Sequence, residues 1–511
     1  MPYGDWVLIL DLGSQYSQLI ARRVRELGVY SEIRPPETLI PSDDPPAAII
    51  LSGGPDSVFS PDSPRVDPSI LNSGLPILGI CYGLHLIVLE AGGEVKQAGH
   101  REYGRAEINL DQSAPIFSGL PSTTTVWMSH GDMATKLPPG FVRIADTDNC
   151  PIAAIADRER RIYAFQFHPE VLHTPQGPQM LDRFLFEVAG LKPGWDMGSF
   201  ADMMVPLIRE QVGDSETLLA LSGGVDSSVT AALTHLALGS KLHCVFVDNG
   251  LLREGEYQQV IRTFRTHFQL NLHPVRASTR FLKALQAISS PERKRKIIGR
   301  EFIRIFEEWA RGHPKIKFLA QGTLYPDVIE STQVAGPSAT IKTHHNVGGL
   351  PSRMNLKLVE PLRFLFKDEV RKLGTHLGLP EEIIGRHPFP GPGLAVRILG
   401  PITSGKLKLL RAADTIFIEE LRSQGLYDSI WQAFCVLLPV KSVGVMGDQR
   451  TYQNVLSLRA VHSTDGMTAD WFRIPEEVLA RVSNRIINEV HGINRVVYDI
   501  SSKPPSTIEW E

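Results

Sequence analysis

The stretch LSGGVDSS, residues 221–228, follows an apolar segment and precedes a predicted helix. Residues 218–221 predict a buried strand and residues 225–238 predict the helix. The two glycines between them allow backbone N–H groups to approach an anion, and the serine hydroxyls add donors. The sequence has no GxxxxGK(S/T) motif, so this loop is not a Walker P-loop. The stretch therefore predicts a strand, an anion-binding loop and a helix in succession.

Strands and helices alternate on both sides of this loop. A helix is predicted at 15–27, where Leu19, Ile20 and Val24 share one side. Further buried strands are predicted at 6–10, 47–51, 76–80, 242–247 and 318–320. Alternation of this kind is typical of a parallel sheet with helices on both faces.

Two segments rich in glycine and proline divide the chain. LKPG at 191–194 indicates a domain boundary, and RHPFPGPG at 386–393 cannot form a regular element. Later strands are predicted near 435–440, 457–461 and 495–500. We expect an α/β protein: two parallel-sheet α/β domains, 1–194 and 195–387, followed by a small α+β C-terminal domain, 388–511.

Composition narrows the class of protein. Of 511 residues, 42% are hydrophobic and 21% are charged, which excludes a disordered or fibrous chain. Lys plus Arg is 53 and Asp plus Glu is 56, so the net charge of −3 argues against nucleic acid as a partner. The four scattered cysteines form no CxxC pair, and no apolar run reaches the ~18 residues of a membrane span. We expect a cytoplasmic protein with reduced thiols and no membrane association.

A candidate nucleophile lies in GICYG, residues 79–83. The motif follows a predicted strand and opens a helix, and its glycines permit the sharp turn of a nucleophile elbow. The helix N-terminus favours a thiolate on Cys81. A small buried cysteine in a glycine-flanked turn is the alternative.

Two further motifs supply partners for Cys81. In QFHPE, residues 166–170, alternate side chains of an extended segment share a face, so His168 can act as general base with Glu170 orienting it. In SGGP, residues 52–55, a free backbone N–H at Gly54 can stabilise an oxyanion, with the N–H of Tyr82 as second donor. The alternatives are a purely structural role for His168 and Glu170 and an ordinary turn at 52–55.

In this order, the motifs SGGP, GICYG and FHPE resemble those of class I glutamine amidotransferases. The resemblance implies that Cys81 is the nucleophile, His168 the base and Glu170 its orienter, with ammonia released from a γ-glutamyl thioester. One position departs from the family. A glutamine that helps to hold the substrate usually stands where this chain has His85, which can replace it as a hydrogen-bond partner.

The loop at 222–228 resembles the pyrophosphate loop of the ATP pyrophosphatase superfamily. That resemblance implies an ATP-binding set and Mg²⁺ held by Asp226. The set is Ser222, Gly223, Gly224, Val225, Asp226, Ser227, Ser228 and, at the end of the next strand, Asp248. For Asp248 alone, a helix cap is an equally good interpretation.

Long strings across the whole chain resemble the glutamine-hydrolysing GMP synthetases. They are KRKIIG at 294–299, QGTLYPDVIES at 321–331, IKTHHNVGGLP at 341–351, RHPFPGPGLAVRILG at 386–400 and VYDISSKPPSTIEWE at 497–511. The resemblance implies glutamine, ATP and xanthosine monophosphate (XMP) as substrates, and a homodimer formed by the C-terminal domain. It also implies XMP contacts from Arg295, Gln432, Lys503, Ile508 and Glu509. The string at 341–351 suits a mobile lid, with a metal-binding pair at His344 and His345 as the alternative.

Other readings of the chain remain open at this point. An NAD synthetase would also couple ammonia to an adenylated substrate, although the strings at 386–393 and 502–511 argue against it. A non-catalytic scaffold that retains both folds is a second alternative, which the presence of Cys81, His168, Glu170 and Asp226 disfavours. A thiol protease is a third.

Overall fold

The computed structural model describes residues 4–54, 57–332, 356–446, 449–463 and 468–511. The chain folds into two compact units, the first ending at Met203 and the second beginning at Met204. Within the described residues, no helix combines the length and the apolar character that a membrane crossing requires. The expected boundaries at 194/195 and 387/388 stay predictions.

The first unit is built on one nine-stranded sheet in the order β2-β1-β3-β4-β9-β8-β7-β5-β6. Its strands are β1 Trp6–Leu10, β2 Tyr30–Arg34, β3 Ala48–Leu51, β4 Ile77–Ile80, β5 Glu94–Leu110, β6 Thr123–Lys136, β7 Val142–Asp146, β8 Ala154–Asp157 and β9 Ile162–Phe165. The five strands from β2 to β9 are parallel, and the remaining pairs are antiparallel. The helices are α1 Ser17–Glu26, α2 Tyr82–Glu90 and α3 Gly177–Arg183.

The central strands of this sheet are buried along their whole length. Every residue of β1, β3, β4 and β9 is buried, as continuous apolar runs require when both faces of a sheet are covered. The strands predicted at 6–10, 47–51 and 76–80 and the helix predicted at 15–27 are thereby confirmed to within two residues.

The second unit begins with a five-stranded parallel sheet in the order β12-β11-β10-β13-β14. The strands are β10 Glu216–Leu221, β11 Leu242–Asp248, β12 Leu272–Arg276, β13 Ile316–Ala320 and β14 Lys357–Val359. The helices around it are α5 Val225–Leu238, α6 Glu256–Arg262, α7 Ser278–Ala284, α8 Pro291–Arg311, α9 Tyr325–Thr332, α10 Lys367–His376 and α11 Glu381–Ile384. Before them, α4, Met197–Val212, contains the division between the two units.

The end of the chain forms a helix-and-sheet layer in the same unit. Strands β15 Gln432–Met446, β16 Gln449–His462 and β17 Asp470–Trp471 are antiparallel, and β18 Ile493–Asp499 pairs parallel with β16. Helices α12 Ser404–Ser423 and α13 Glu476–Glu489 accompany them. One hydrophobic core joins this layer to the parallel sheet, with Leu218, Phe417 and Leu456 among its members. The α/β fold class with a C-terminal α+β region is confirmed.

Candidate active sites

Cys81 occupies a sharp turn between β4 and α2. Its backbone has φ 52° and ψ −100°, a conformation that residues other than glycine rarely adopt. Two glycines make the turn possible, because a Cβ at Gly79 would lie 2.6 Å from Ile87 Cδ1 and one at Gly83 would lie 2.5 Å from the Leu51 carbonyl oxygen. The sequence therefore folds locally into the elbow that its glycines predict, with Cys81 only 4% exposed.

His168 and Glu170 form a buried pair beside this cysteine. The Nδ1 atom of His168 lies 2.7 Å from Glu170 Oε1, and both residues are buried. The Cys81 side chain also acts on the charge of the ring. Thr174 fixes the backbone, since its hydroxyl donates to the His168 carbonyl oxygen at 2.7 Å and accepts the Trp127 N–H at 3.0 Å.

The electrostatics of this pair favour a charged imidazole. Burial of the ring opposes the charge, but the Glu170 carboxylate and the Cys81 side chain outweigh burial and raise the pKa of His168 well above 6.5. An imidazolium next to a cysteine is the arrangement that stabilises a thiolate nucleophile.

The oxyanion candidates Gly54 and Tyr82 lie next to each other. A Cβ at Gly54 would lie 3.0 Å from Tyr82 Cγ and 2.8 Å from the Leu12 carbonyl oxygen, so only glycine fits. The segment is tied to α2, because the Gly83 N–H donates to the Ser52 carbonyl oxygen at 3.2 Å. In the part of the chain that the structure describes, the Gly54 N–H donates no hydrogen bond.

Two residues that contact Cys81, Ser129 and Gln166, were not predicted from the sequence. The Cys81 thiol donates to the Ser129 carbonyl oxygen at 3.6 Å, and Gln166 Nε2 lies 3.9 Å from Cys81 Sγ. His85, expected as a possible substrate contact, is buried and its Nε2 lies 2.9 Å from Gln166 Oε1. A signal for Gln166 was available, because it shares the period of two with His168 and Glu170.

In the second unit, the loop LSGGVDSS joins β10 to α5 as predicted. Gly223 has φ +79°, and a Cβ there would lie 2.8 Å from Val260 Cγ2. The hydroxyls of Ser222 and Ser227 are 2.8 Å apart, while Ser228 Oγ donates to the Gly224 carbonyl oxygen at 2.7 Å. Val225 begins the helix. These side-chain hydrogen bonds brace a loop that lies at a helix N-terminus, where an anion is favoured.

Asp226 lies in the first turn of α5 and forms an ion pair with Lys367. Lys367 Nζ, at the start of α10, is 2.5 Å from Asp226 Oδ1. This partner could not be predicted from the sequence, because the two residues are 141 positions apart. No group of three or more His, Cys, Asp or Glu side chains among the described residues is arranged to hold a metal ion.

Asp248 ends β11, next to the loop. Because Leu221 pairs with Phe246 in parallel register, Asp248 and the loop lie at the same sheet edge, where α/β folds bind nucleotides. Its carboxylate accepts the Gly250 N–H at 2.9 Å, which closes a turn.

The residues expected to contact XMP converge on the tail of the chain. Gln432 Nε2 donates to Glu509 Oε1 at 2.8 Å, and Arg295 hydrogen-bonds the Glu511 carbonyl oxygen. Ile508 is buried in an apolar cluster with Phe434, Val436, Val461 and Ala469. Lys503 exchanges both backbone hydrogen bonds with Ala469, at 2.7 and 3.0 Å.

Two buried basic side chains, Arg397 and Lys294, also contact the tail, and neither contact was predicted. Arg397 NH2 lies 2.8 Å from Glu509 Oε1, and the Lys294 ammonium pairs with the Glu511 carboxylate. Both cationic side chains are fully buried. His344 and His345, the predicted lid or metal pair, lie outside the described residues.

Comparison with known proteins identifies the family. Residues 8–188 match the model of class-I glutamine amidotransferases, and residues 419–510 match that of the GMP synthase C terminal domain. The chain is 58% identical to a glutamine-hydrolyzing GMP synthase from a Nitratiruptor species, over 99% of both chains. It is also 58% identical to the one from Solidesulfovibrio magneticus, over 100% of both chains. A solved structure of a putative gmp synthase subunit a protein from Thermoplasma acidophilum is 32% identical, with a TM-score of 0.32, over 36% of this chain and 94% of that protein. The chain therefore belongs to the family of glutamine-hydrolysing GMP synthases.

Proposed function

We propose that this chain converts XMP to GMP, using ATP and ammonia released from glutamine. The observation that carries the proposal is the buried trio Cys81, His168 and Glu170 at a nucleophile elbow, in a chain that also holds the LSGGVDSS loop. The first unit then supplies ammonia, and the second activates the nucleotide that receives it.

In the amidase step, the Cys81 thiolate attacks the side-chain amide carbon of glutamine. The N–H groups of Gly54 and Tyr82 stabilise the oxyanion. As the carbon–nitrogen bond breaks, the charged His168 gives its proton to the departing ammonia. His168 then accepts a proton from water, which hydrolyses the thioester and releases glutamate.

In the synthetase step, the C2 oxygen of XMP attacks the α-phosphorus of ATP and pyrophosphate leaves. The backbone and hydroxyl donors of residues 222–228 bind the leaving phosphates. Asp226 would hold Mg²⁺, which supplies positive charge against the pyrophosphate when bound. Mg²⁺ commonly takes one or two carboxylates plus substrate phosphates. Asp226 offers one carboxylate beside this loop, and in the structure it pairs with the Lys367 ammonium.

The nucleotide acceptor would lie against the tail. Arg295, Gln432, Lys503, Ile508 and Glu509 form its proposed contacts, with cationic groups facing the phosphate. Ammonia then attacks C2 and expels AMP, which leaves GMP. We also propose that the enzyme is cytoplasmic and that the C-terminal layer pairs two chains.

The decisive experiment measures GMP and AMP formed from XMP, ATP and Mg²⁺ with either glutamine or ammonia. Cys81→Ala should abolish the glutamine-driven reaction and keep the ammonia-driven one, whereas Asp226→Ala should abolish both. Cys150→Ala, a second buried cysteine, and Asp214→Ala, a fully exposed carboxylate, are the matched controls.

Three outcomes would contradict the proposal. Glutamine-driven activity in Cys81→Ala would show that Cys81 is not the nucleophile. Ammonia-driven activity in Asp226→Ala would show that Asp226 is not needed to hold the metal ion. AMP formation with deamido-NAD, and none with XMP, would assign the chain to an NAD synthetase reaction instead.

A further inference from the structure

A second buried polar pair adjoins the nucleophile, in addition to His168 and Glu170. Gln166 is 0% exposed and His85 is 3% exposed. The amide of Gln166 lies between Cys81 and His85, with Nε2 3.9 Å from Cys81 Sγ and Oε1 2.9 Å from His85 Nε2. Neither residue has a role in the chemistry described above.

The structure places the oxygen of the Gln166 amide at His85 and its NH₂ group at Cys81. Burial lowers the pKa of His85 to about 4, so the ring is neutral at neutral pH and carries one proton. The Oε1 atom of Gln166 can only accept a hydrogen bond, so the proton resides on His85 Nε2. With its oxygen held in this way, Gln166 directs its NH₂ group at Cys81. Asp132 and His130 are the other charged or titratable groups that act on His85.

One contact of the sulfur is with a hydrogen-bond acceptor. The Ser129 carbonyl oxygen, 3.6 Å from Sγ, accepts a hydrogen bond from S–H and repels a negative sulfur. A thiolate therefore needs donors that compensate for this oxygen. His168 supplies one with full charge, and the Gln166 amide is placed to supply a neutral second.

We infer that Gln166 is a further catalytic residue that donates a hydrogen bond to the Cys81 thiolate, and that His85 is the positioning residue that orients it. The inference deepens the proposed amidase step and rests on Cys81 as its nucleophile. It also gives the unusual histidine a role: His85 acts on the nucleophile through Gln166.

The test is the pH profile of Cys81 alkylation by iodoacetamide, measured on the full chain by mass spectrometry. Gln166→Leu removes the donor, and Gln166→Glu replaces it with an acceptor. Both should move the midpoint of alkylation to higher pH, with a rate at neutral pH about tenfold lower if the shift is one unit. His85→Leu should move it in the same direction by less, since the amide stays but loses its anchor.

Two variants serve as controls. His85→Gln keeps a donor for Gln166 Oε1 and should restore the profile of the parent. Gln112→Glu makes the same chemical change at an exposed glutamine whose amide donates to the Leu120 carbonyl oxygen at 2.6 Å, and should leave the profile unchanged. Ammonia-driven GMP formation should persist in every variant. If Gln166→Glu fails to fold, Gln166→Leu carries the test.

The inference is overturned if both Gln166 variants alkylate with the midpoint of the parent. It is also overturned if Gln166→Leu moves the midpoint to lower pH, because the amide oxygen would then be the atom that faces the sulfur. Failure of the proposed function is a separate result, since Cys81→Ala would then retain glutamine-driven activity.

Discussion

Cys81 holds a backbone conformation that costs energy, and glycine contacts keep it there. Strain of this kind is on the order of 1–3 kcal/mol and persists where the surrounding structure fixes it. Here α2 packs so closely on β3 and β4 that Gly79 and Gly83 have no room for a Cβ. The strain directs the sulfur toward His168 while the helix N-terminus supports negative charge.

We predict that Gly83→Ala separates the two activities of the chain. A Cβ there would lie 2.5 Å from the Leu51 carbonyl oxygen, so α2 must shift and Cys81 with it. A displacement of about 1 Å at a catalytic group can cost about 100-fold. Glutamine-driven GMP formation should therefore fall by about that factor, while ammonia-driven formation is unchanged.

The control is Gly299→Ala in α8, where an added Cβ meets no atom within 4 Å. It should leave both activities unchanged and slightly stabilise the helix, because alanine is favoured over glycine by about 1 kcal/mol. Equal glutamine-driven activity in Gly83→Ala and Gly299→Ala would contradict the role assigned to the elbow.

At this scale the sequence indicated which motif residues to examine, but not the side chains that contact them. Local strings located Cys81, His168 and Glu170, and the structure places them together. The contacts of Lys367 with Asp226 and of His85 with Gln166 carried no such signal, because they are set by how distant elements pack. A side chain whose role depends on tertiary contact has no fixed spacing that a motif can reveal.

The elements show where sequence patterns decide structure. The buried parallel strands were predictable because continuous apolar runs have few other solutions. The long hairpin β5–β6 was not predicted, although β6 alternates buried and less buried residues from Val126 to Ala134. Strands β15 and β16 likewise extend beyond the predicted segments, because their outer ends are exposed and lack the apolar run that indicated the core.

Four consecutive basic residues, RKRK at 293–296, lie in the first turns of α8. Placed on α8, the run divides between solvent and core: Lys296 is exposed, whereas Lys294 is fully buried. The Lys294 ammonium donates to the carbonyl oxygens of Ala395 at 3.1 Å and Ile398 at 2.7 Å. One basic side chain therefore links α8 to the segment before α12 through hydrogen bonds. The near-neutral net charge of the whole chain does not reveal such a buried cationic group.

We predict that the RHPFPGPG segment makes the second unit sensitive to acid. His387 stacks on Tyr427 with ring centroids 3.8 Å apart, its Nδ1 accepts the Ala433 N–H at 3.1 Å, and its Nε2 lies 2.9 Å from the Tyr427 carbonyl oxygen. This pattern needs a neutral ring, and burial lowers the pKa of His387 to about 4 from 6.5. Its stabilisation is complete above pH 6.5 and is lost as pH falls toward 4.

Denaturant unfolding between pH 7.5 and 4.5 checks this expectation. A difference of about 2.5 pKa units corresponds to an upper limit of about 3 kcal/mol, reached only below pH 4. His387→Asn should be less stable at pH 7.5 and should lose less of its remaining stability on acidification. A parallel decline of parent and variant would show that other groups, such as His85 in the first unit, govern acid sensitivity.

At the scale of the whole molecule, each proposed reaction belongs to a unit with its own core. The trio Cys81, His168 and Glu170 lies before Met203, and the LSGGVDSS loop and the tail contacts lie after it. The second core is continuous from Leu218 to Ile493, so the parallel sheet and the C-terminal layer support each other. Separate losses of glutamine-driven and total activity are therefore expected for mutations in the two units.

The division inside α4 leads to the last prediction, which concerns where the chain can be cut. Trp195 packs within the first unit, with its ring 4.7 Å from Tyr30 and 5.6 Å from Phe200. Residues Ile208 and Val212 of the same helix are buried in the second unit. A fragment of residues 1–203 should therefore be more stable than one of 1–194 by about 3–5 kcal/mol, the usual cost of losing a large buried aromatic. Denaturant unfolding of the two fragments measures this difference.

The complementary fragment, residues 204–511, should form GMP from XMP, ATP and ammonia and should not respond to glutamine. The reason is that its parallel sheet and its C-terminal layer share one core, whose described members all lie after Met203. Equal stability of the 1–194 and 1–203 fragments would instead favour a functional boundary at 194/195, with Trp195 dispensable to the first unit. A fragment 204–511 that folds but makes no GMP would mean that the synthetase site needs the amidase unit for more than its ammonia.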